Sequence, residues 1–168
     1  MQKIIITGPE STGKTTLAQQ LAQHYQTVCV PEYARDYIDQ LNRSYEEYDL
    51  LEIAKGQVSR EDEFAAKHNP DLLICDTSLL VIKVWSKVKY QRCHPWILEQ
   101  FNQRQVDLYL LTFPDIPWEP DPQREHPHQR EMLFQLYQQE LQKKLHVVVR
   151  GSREQRLHTA IEAIDRLD

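Results

Sequence analysis

The stretch that most restricts the fold is GPESTGKTT at residues 8–16, set directly behind the apolar run IIIT and directly ahead of LAQQLAQHY. Gly8, Gly13, Lys14 and Thr15 satisfy the pattern G-x-x-x-x-G-K-[ST]. Between a strand and a helix, such a loop turns its backbone N–H groups and the helix N-terminus onto an anion, and its glycines let the backbone come close. The loop members Gly8, Glu10, Ser11, Thr12, Gly13, Lys14, Thr15 and Thr16 are therefore the candidate nucleotide-binding residues. Lys14 would reach the outer phosphates, and the Thr15 hydroxyl would ligate Mg²⁺. The structural alternative is an incidental turn.

Around this loop the chain alternates apolar runs with helical periodicity. KIIIT (3–7), TVCV (27–30), DLLICD (71–76), VDLYLLT (106–112) and LHVVVRG (145–151) read as five strands. Leu17, Leu21 and Tyr25 mark one helix face, with Ala18 and Ala22 beside them. EYARDYIDQL can wind into a helix. Residues 46–68 suit an amphipathic helix through Tyr48, Leu51, Val58 and Phe64, and 78–104 supply one or two helices interrupted around QRCHP. Strands separated by helices imply a parallel sheet covered on both faces, since a parallel crossover needs a dozen or more residues. The expectation is a single α/β domain over 1–168.

One segment breaks the pattern. FPDIPWEPDPQREHPHQR (113–130) holds five of the nine prolines and cannot sustain a helix or a central strand. Segments of this kind are commonly functional lids, with a solvated loop as the alternative. Arg124 and Arg130 within it could close over phosphates, stabilise the transferring group and exclude water.

Three further positions follow strands, where open α/β sheets bind ligands. Asp76 could hold a metal ion or cap the next helix. Glu32 could take a proton from an acceptor hydroxyl, or simply favour the start of a helix through its dipole. RGSREQR (150–156) could place Arg150 and Ser152 against a nucleotide base, or Ser152 could be an N-cap.

The chain's 168 residues include 40% hydrophobic and 27% charged residues, with a formal net charge of −5. No block of Lys or Arg offers a track for a nucleic-acid backbone. No apolar run approaches the roughly 18 residues of a membrane span, so a cytoplasmic protein is expected. Cys29, Cys75 and Cys93 form neither a CxxC pair nor an even set, and imply neither a disulfide framework nor a zinc site. The absence of an N-K-x-D segment argues against a guanine-reading GTPase.

GPESTGKTTLA, VPEYARDY, LLICDT, VWS, DLYLLT, DIPWEPDPQREHP and VVVRGSREQRL, in that order, resemble the ribosylnicotinamide (nicotinamide riboside) kinase domain of NadR-type NAD-salvage proteins. The resemblance implies a P-loop NTPase fold with strand order 2-3-1-4-5. It also implies ATP and Mg²⁺ as cofactors, and transfer of the γ-phosphate to the ribose 5′-hydroxyl of nicotinamide riboside. By position, Lys14, Thr15 and Asp76 would bind Mg-ATP, and Glu32 would meet the nucleoside hydroxyl. Arg124 and Arg130 would belong to the lid, while Tyr33, Arg35, Trp85 and Trp118 would hold the ribose or the nicotinamide ring. Aromatic burial is the alternative for the aromatic members. Ser78 stands where that family often carries another acid, and Pro122-Gln123 where it often has glycine before the lid arginine. The longer members' adenylyltransferase and helix-turn-helix parts are not expected here, since no Gly-His pair completes an HxGH motif. Two other functions fit the same loop: a kinase of another small nucleoside or metabolite, and a regulatory module that senses nucleotide.

Overall fold

Ile4, Ile5 and Ile6 are at most 1% exposed, as an uninterrupted apolar run requires when a strand is covered on both faces. They lie on β1 (Gln2–Thr7) of a computed structural model that describes residues 1–167. There follow α1 (Lys14–His24), β2 (Cys29–Val30), α2 (Tyr33–Gln40), α3 (Glu47–His68), β3 (Leu72–Asp76) and α4 (Leu79–Tyr90). The chain continues through α5 (Pro95–Gln103), β4 (Leu108–Thr112), α6 (Arg130–Glu140), β5 (His146–Val149) and α7 (Arg153–Asp165).

The strands form one parallel sheet in the order β2-β3-β1-β4-β5, as expected. Side chains alternate across it. Ile4 and Ile6 pack with Leu17 and Leu21 of α1 and with Ala160 and Ile164 of α7. Ile5 points the other way, toward Leu50 and Ile53 of α3, Leu80 of α4 and Phe101 of α5. The register pairs Ile6 with Asp76, so the loop after β1 and the carboxylate ending β3 leave the sheet side by side. Residues 113–129 form neither helix nor strand, in keeping with their prolines. Among the described residues no helix is long and apolar enough to cross a membrane.

Two elements depart from the sequence reading. The second strand is only Cys29–Val30, because Pro31 stops it and residues 27–28 lie outside the strand. On α3 the buried residues are Asp49, Leu50, Ile53, Ala54, Gln57 and Glu61, whereas Tyr48 is 58% exposed and Leu51, Val58 and Phe64 lie on the flank. Polar groups with hydrogen-bond partners occupy the inner face, so a purely apolar reading rotates the helix.

α2 carries Glu32 at its N-cap and is held to α3 by ring, hydrogen-bond and ion-pair contacts. The Tyr33 ring lies over Gly56, with the Arg60 guanidinium 4.8 Å from the ring centroid. The Tyr37 hydroxyl donates to Asp49 at 2.7 Å, and Arg43 grips the same carboxylate at 2.7 and 2.9 Å.

A methyl at position 56 would fall within 2.6 Å of Tyr33 Cδ1, closer than carbon atoms approach. Gly56→Ala is therefore expected to cost roughly 1–3 kcal/mol by displacing that ring. This outweighs the gain of about 1 kcal/mol in helix propensity, and denaturant unfolding would measure the balance. Hydrogen bonds from Arg43, opposed by the cost of burial, hold the Asp49 carboxyl well below the usual carboxylate range. With the folded-state pKa below the unfolded value of about 3.9, the stabilisation is complete above that value. It is lost as pH falls through the lowered folded-state value. Asp49→Asn should lower the melting temperature at pH 7 and flatten the decline between pH 4 and 2 in thermal scans.

Candidate active site

Gly8 begins the loop at φ 141°, and a Cβ there would stand 2.9 Å from the Thr112 carbonyl oxygen, so the backbone passes β4 at a distance only glycine allows. Ser11 (φ 55°) and Gly13 (φ 79°) both take the left-handed conformation that bends the loop into an anion-holding concavity. Thr12 braces the bend from within: its hydroxyl donates to the Pro9 carbonyl at 2.6 Å and bonds the Thr112 hydroxyl at 2.6 Å. Lys14 opens α1, and its ammonium donates to the same Pro9 carbonyl at 2.6 Å.

The acidic side faces this loop. Thr15 donates its hydroxyl to Asp76 Oδ2 at 2.7 Å, while Asp76 Oδ1 is buried with no hydrogen-bond partner among the described residues. Asp76 does not cap the next helix; Ser78 holds that position. Glu32 occupies the N-cap of α2, yet its side chain caps nothing and lines the cavity instead. Burial raises the pKa of Glu32, with Lys14 opposing and Asp76 adding to the rise. Burial also raises that of Asp76, against the Thr15 hydrogen bond and the Lys14 charge. For Lys14 burial lowers the pKa, and Glu32, Asp76 and Glu10 oppose it. A carboxylate moved toward neutrality beside an ammonium suits proton transfer. The Thr15–Asp76 pair, all oxygen and with one lone carboxylate oxygen, suits a hard cation that completes its shell with phosphate and water.

The loop, Lys14, Thr15 and Glu32 line a cavity of about 490 Å³, with Asp76 beside it through its bond to Thr15. The side chains of Ile38, Val81, Val84, Trp85 and Val88 line it as well. The 113–129 segment roofs it and is latched onto the loop. Backbone N–H groups of Glu125 and His126 donate to Glu10 at 3.1 Å each, and the N–H of Glu119 donates to Ser11 Oγ at 2.8 Å. Arg35 pairs with Asp121 at 3.0 Å and ties the roof to α2.

Of the residues singled out from sequence, Gly8, Glu10, Ser11, Thr12, Gly13, Lys14, Thr15, Thr16, Glu32, Arg35, Trp85, Arg124 and Ser152 line the cavity, and Asp76 joins them through Thr15. Four others lie elsewhere. Tyr33 faces α3, as described. Arg130 donates to the carbonyls of Ser11 and Ile116 at 3.1 and 2.8 Å, bracing loop and roof from outside. The guanidinium groups of Arg124 and Arg130 lie 6.0 and 5.7 Å from the Trp118 ring centroid. Arg150 stacks over Phe113 at 4.5 Å. Ser152 also caps α7, accepting the Gln155 N–H, as the N-cap reading of that residue expects.

Sequence reasoning missed Arg156. Only 3% exposed, it donates to the carbonyls of Gly151 (3.1 Å), Phe113 (2.8 Å) and Thr12, and pairs with Asp115. Asp115 in turn accepts the Gly151 N–H at 2.6 Å. One guanidinium thus ties the phosphate loop to the turns after β4 and β5. Its place one turn into the helix after the last strand, at the ligand-bearing sheet edge, was the available signal.

A phosphate-binding loop joining the central strand to a helix, in a parallel sheet ordered 2-3-1-4-5, defines a P-loop nucleotide-binding protein of kinase architecture. The chain belongs to the AAA domain family, whose profile matches residues 3–156. It is 31% identical over 127 residues to the trifunctional NAD biosynthesis/regulator protein NadR of Escherichia coli (strain K12), and 28% identical over 127 residues to that of Salmonella typhimurium. Each match takes in 72% of this chain and 30% of the relative's length. Among solved structures, a NadR protein in complex with NR superposes with a TM-score of 0.81 at 22% identity, covering 99% of this chain and 51% of that one. Thymidylate kinase from Ehrlichia chaffeensis superposes at 0.64 with 15% identity, covering 99% and 98%.

Replacing Arg156 with lysine keeps the charge but loses the planar fork that reaches several carbonyls at once. Arg156→Lys is expected to cost about 1.5–3 kcal/mol of stability and to weaken the hold of the phosphate loop on a nucleotide. Thermal shift with and without nucleotide would show both effects.

Proposed function

We propose that this chain is an ATP-dependent kinase that phosphorylates the ribose 5′-hydroxyl of nicotinamide riboside to give nicotinamide mononucleotide. The observation that carries the reading is that the phosphate loop and an apolar pocket bearing Trp85 share one cavity, with the Glu32 carboxylate lining it. The similarity to NadR proteins, one of them solved with NR, supports the choice of acceptor. Residues 1–168 act in this reading as one kinase unit, in the cytoplasm, on a small nucleoside rather than on nucleic acid or membrane.

The loop amides and Lys14 hold the triphosphate. Thr15 and Asp76 would hold Mg²⁺, which when bound offsets the charge on the phosphate oxygens. Glu32 accepts the proton of the 5′-hydroxyl as the oxygen attacks: the new O–P bond forms, the bond from the γ-phosphorus to the ADP oxygen breaks, and the charge leaves with ADP. Arg124, on the roof, faces the same cavity and stabilises the group in transit, while the roof keeps water from competing as acceptor. Trp85 and the valines beside it form the flat apolar wall for the base.

Purified protein should release ADP from ATP only when nicotinamide riboside is supplied, with the mononucleotide identified by mass. A panel of other nucleosides distinguishes this from a kinase of different specificity, and tight ATP binding without acceptor-dependent ADP would indicate a sensing module. Lys14→Ala should abolish transfer with the fold intact. Glu32→Gln should lower kcat by roughly 10²–10⁴, the usual worth of a positioned base; an unchanged kcat would remove Glu32 from that role while leaving the kinase reading in place.

A further inference from the structure

Behind the cavity lies a buried polar cluster that the chemistry above does not use. Its centre is Glu61 on α3, 1% exposed. A carboxylate so placed needs partners. Oε2 meets Lys3 Nζ at 3.1 Å and the Arg104 guanidinium at 3.8 Å, and Oε1 accepts from Ser78 Oγ at 2.5 Å and Gln57 Nε2 at 3.1 Å. Gln57 is equally buried, and its Oε1 accepts the backbone N–H of Tyr33 at 3.0 Å. Only one orientation of this amide works: the backbone N–H of Tyr33 only donates, so the carbonyl must face Tyr33 and the NH₂ Glu61.

Both branches of the cluster end beside a reacting group. Tyr33 directly follows Glu32, and Ser78 stands two residues after Asp76. Ser78 occupies the N-cap of α4, where a serine hydroxyl ordinarily accepts a helix N–H, yet it makes no such bond and is spent on Glu61 instead. Thr77 between them has φ 66°, a costly conformation for a β-branched residue, which lasts only where its neighbours over-determine it. The Thr77 N–H bond to Ile6 (3.0 Å) and the Ser78–Glu61 bond fix that bend on both sides. Lys3 ties the same carboxylate to β1, the strand that delivers the phosphate loop.

We propose that Glu61, acting through Gln57 and Ser78, is a positioning residue for phosphoryl transfer, fixing the placement of Glu32 and Asp76 relative to the phosphate loop. The Glu32 branch rests on the kinase reading; the Asp76 branch concerns nucleotide binding alone.

Ser78→Ala tests this, since it removes one hydroxyl and touches neither Lys3 nor the cavity lining. Steady-state kinetics should show kcat reduced roughly ten- to a hundredfold, the scale of a small misplacement, with KM for ATP and for the riboside each within about twofold. Calorimetric titration with a non-hydrolysable ATP analogue should show a smaller gain in affinity on adding Mg²⁺, with affinity in EDTA unchanged. Ser78→Thr, which restores the hydroxyl, should recover both. Should Ser78→Ala fail to fold, the double variant Lys3→Met/Glu61→Leu removes both charges of the buried pair together with the acceptor of the Ser78 and Gln57 bonds, and carries the same expectations. A folded variant with wild-type kcat and a wild-type Mg²⁺ effect overturns the proposal, whatever its melting temperature. If the wild-type protein releases no acceptor-dependent ADP, the kinase reading falls, and the calorimetric result alone decides the assignment for Asp76.

Discussion

The close passage of the loop backbone at Gly8 against the end of β4 is the constraint from which the site follows. A side chain there would hold the two segments apart, and the Thr12–Thr112 hydroxyl contact at 2.6 Å would be lost with it. That contact, the left-handed turns at Ser11 and Gly13, and the Arg156 guanidinium on the Thr12 carbonyl hold the loop curved from three directions. Amides aimed into a concavity need such support, because each unpaired N–H is costly until an anion arrives.

Charge in the cavity is arranged in the same spirit. Lys14, Glu32 and Asp76 are drawn out of water without a tight ion pair between them: Lys14 spends a hydrogen bond on a carbonyl, Asp76 takes one from a hydroxyl, and Glu32 forgoes capping its own helix. Groups held this way shift their proton affinities toward one another, and in the proposed reading phosphate oxygens and a cation would complete the site. Stability is given up locally for binding, as is common at functional sites.

What could be read from the sequence was what is local in it. The loop motif packs its chemistry into nine consecutive residues, the strands are short apolar runs, and Glu32 and Asp76 each come just after or at the end of a strand, so the sheet alone puts them at one edge. Side-chain direction was not legible. Tyr33 adjoins Glu32 yet turns to Gly56, because α3 offers its ring a flat glycine surface. Arg150 finds Phe113, and Trp118 meets two arginines, through loop geometry that no periodicity encodes. The buried face of α3 was misjudged because Gln57 and Glu61 read as solvent residues until their partners, Lys3 and Ser78 among them, are brought from distant positions. Arg156 was hidden for the same reason, its Thr12 contact spanning 144 positions.

The shortness of β2 bears on how the molecule behaves among its own copies. It forms one rim of the sheet, and a foreign strand approaching there would find two residues of ladder before Pro31, which has no N–H to offer. A rim that short and blunted gives little template for edge-to-edge growth, so a parallel sheet rich in isoleucine, leucine and valine is shielded on that flank from recruiting further chains into fibrils.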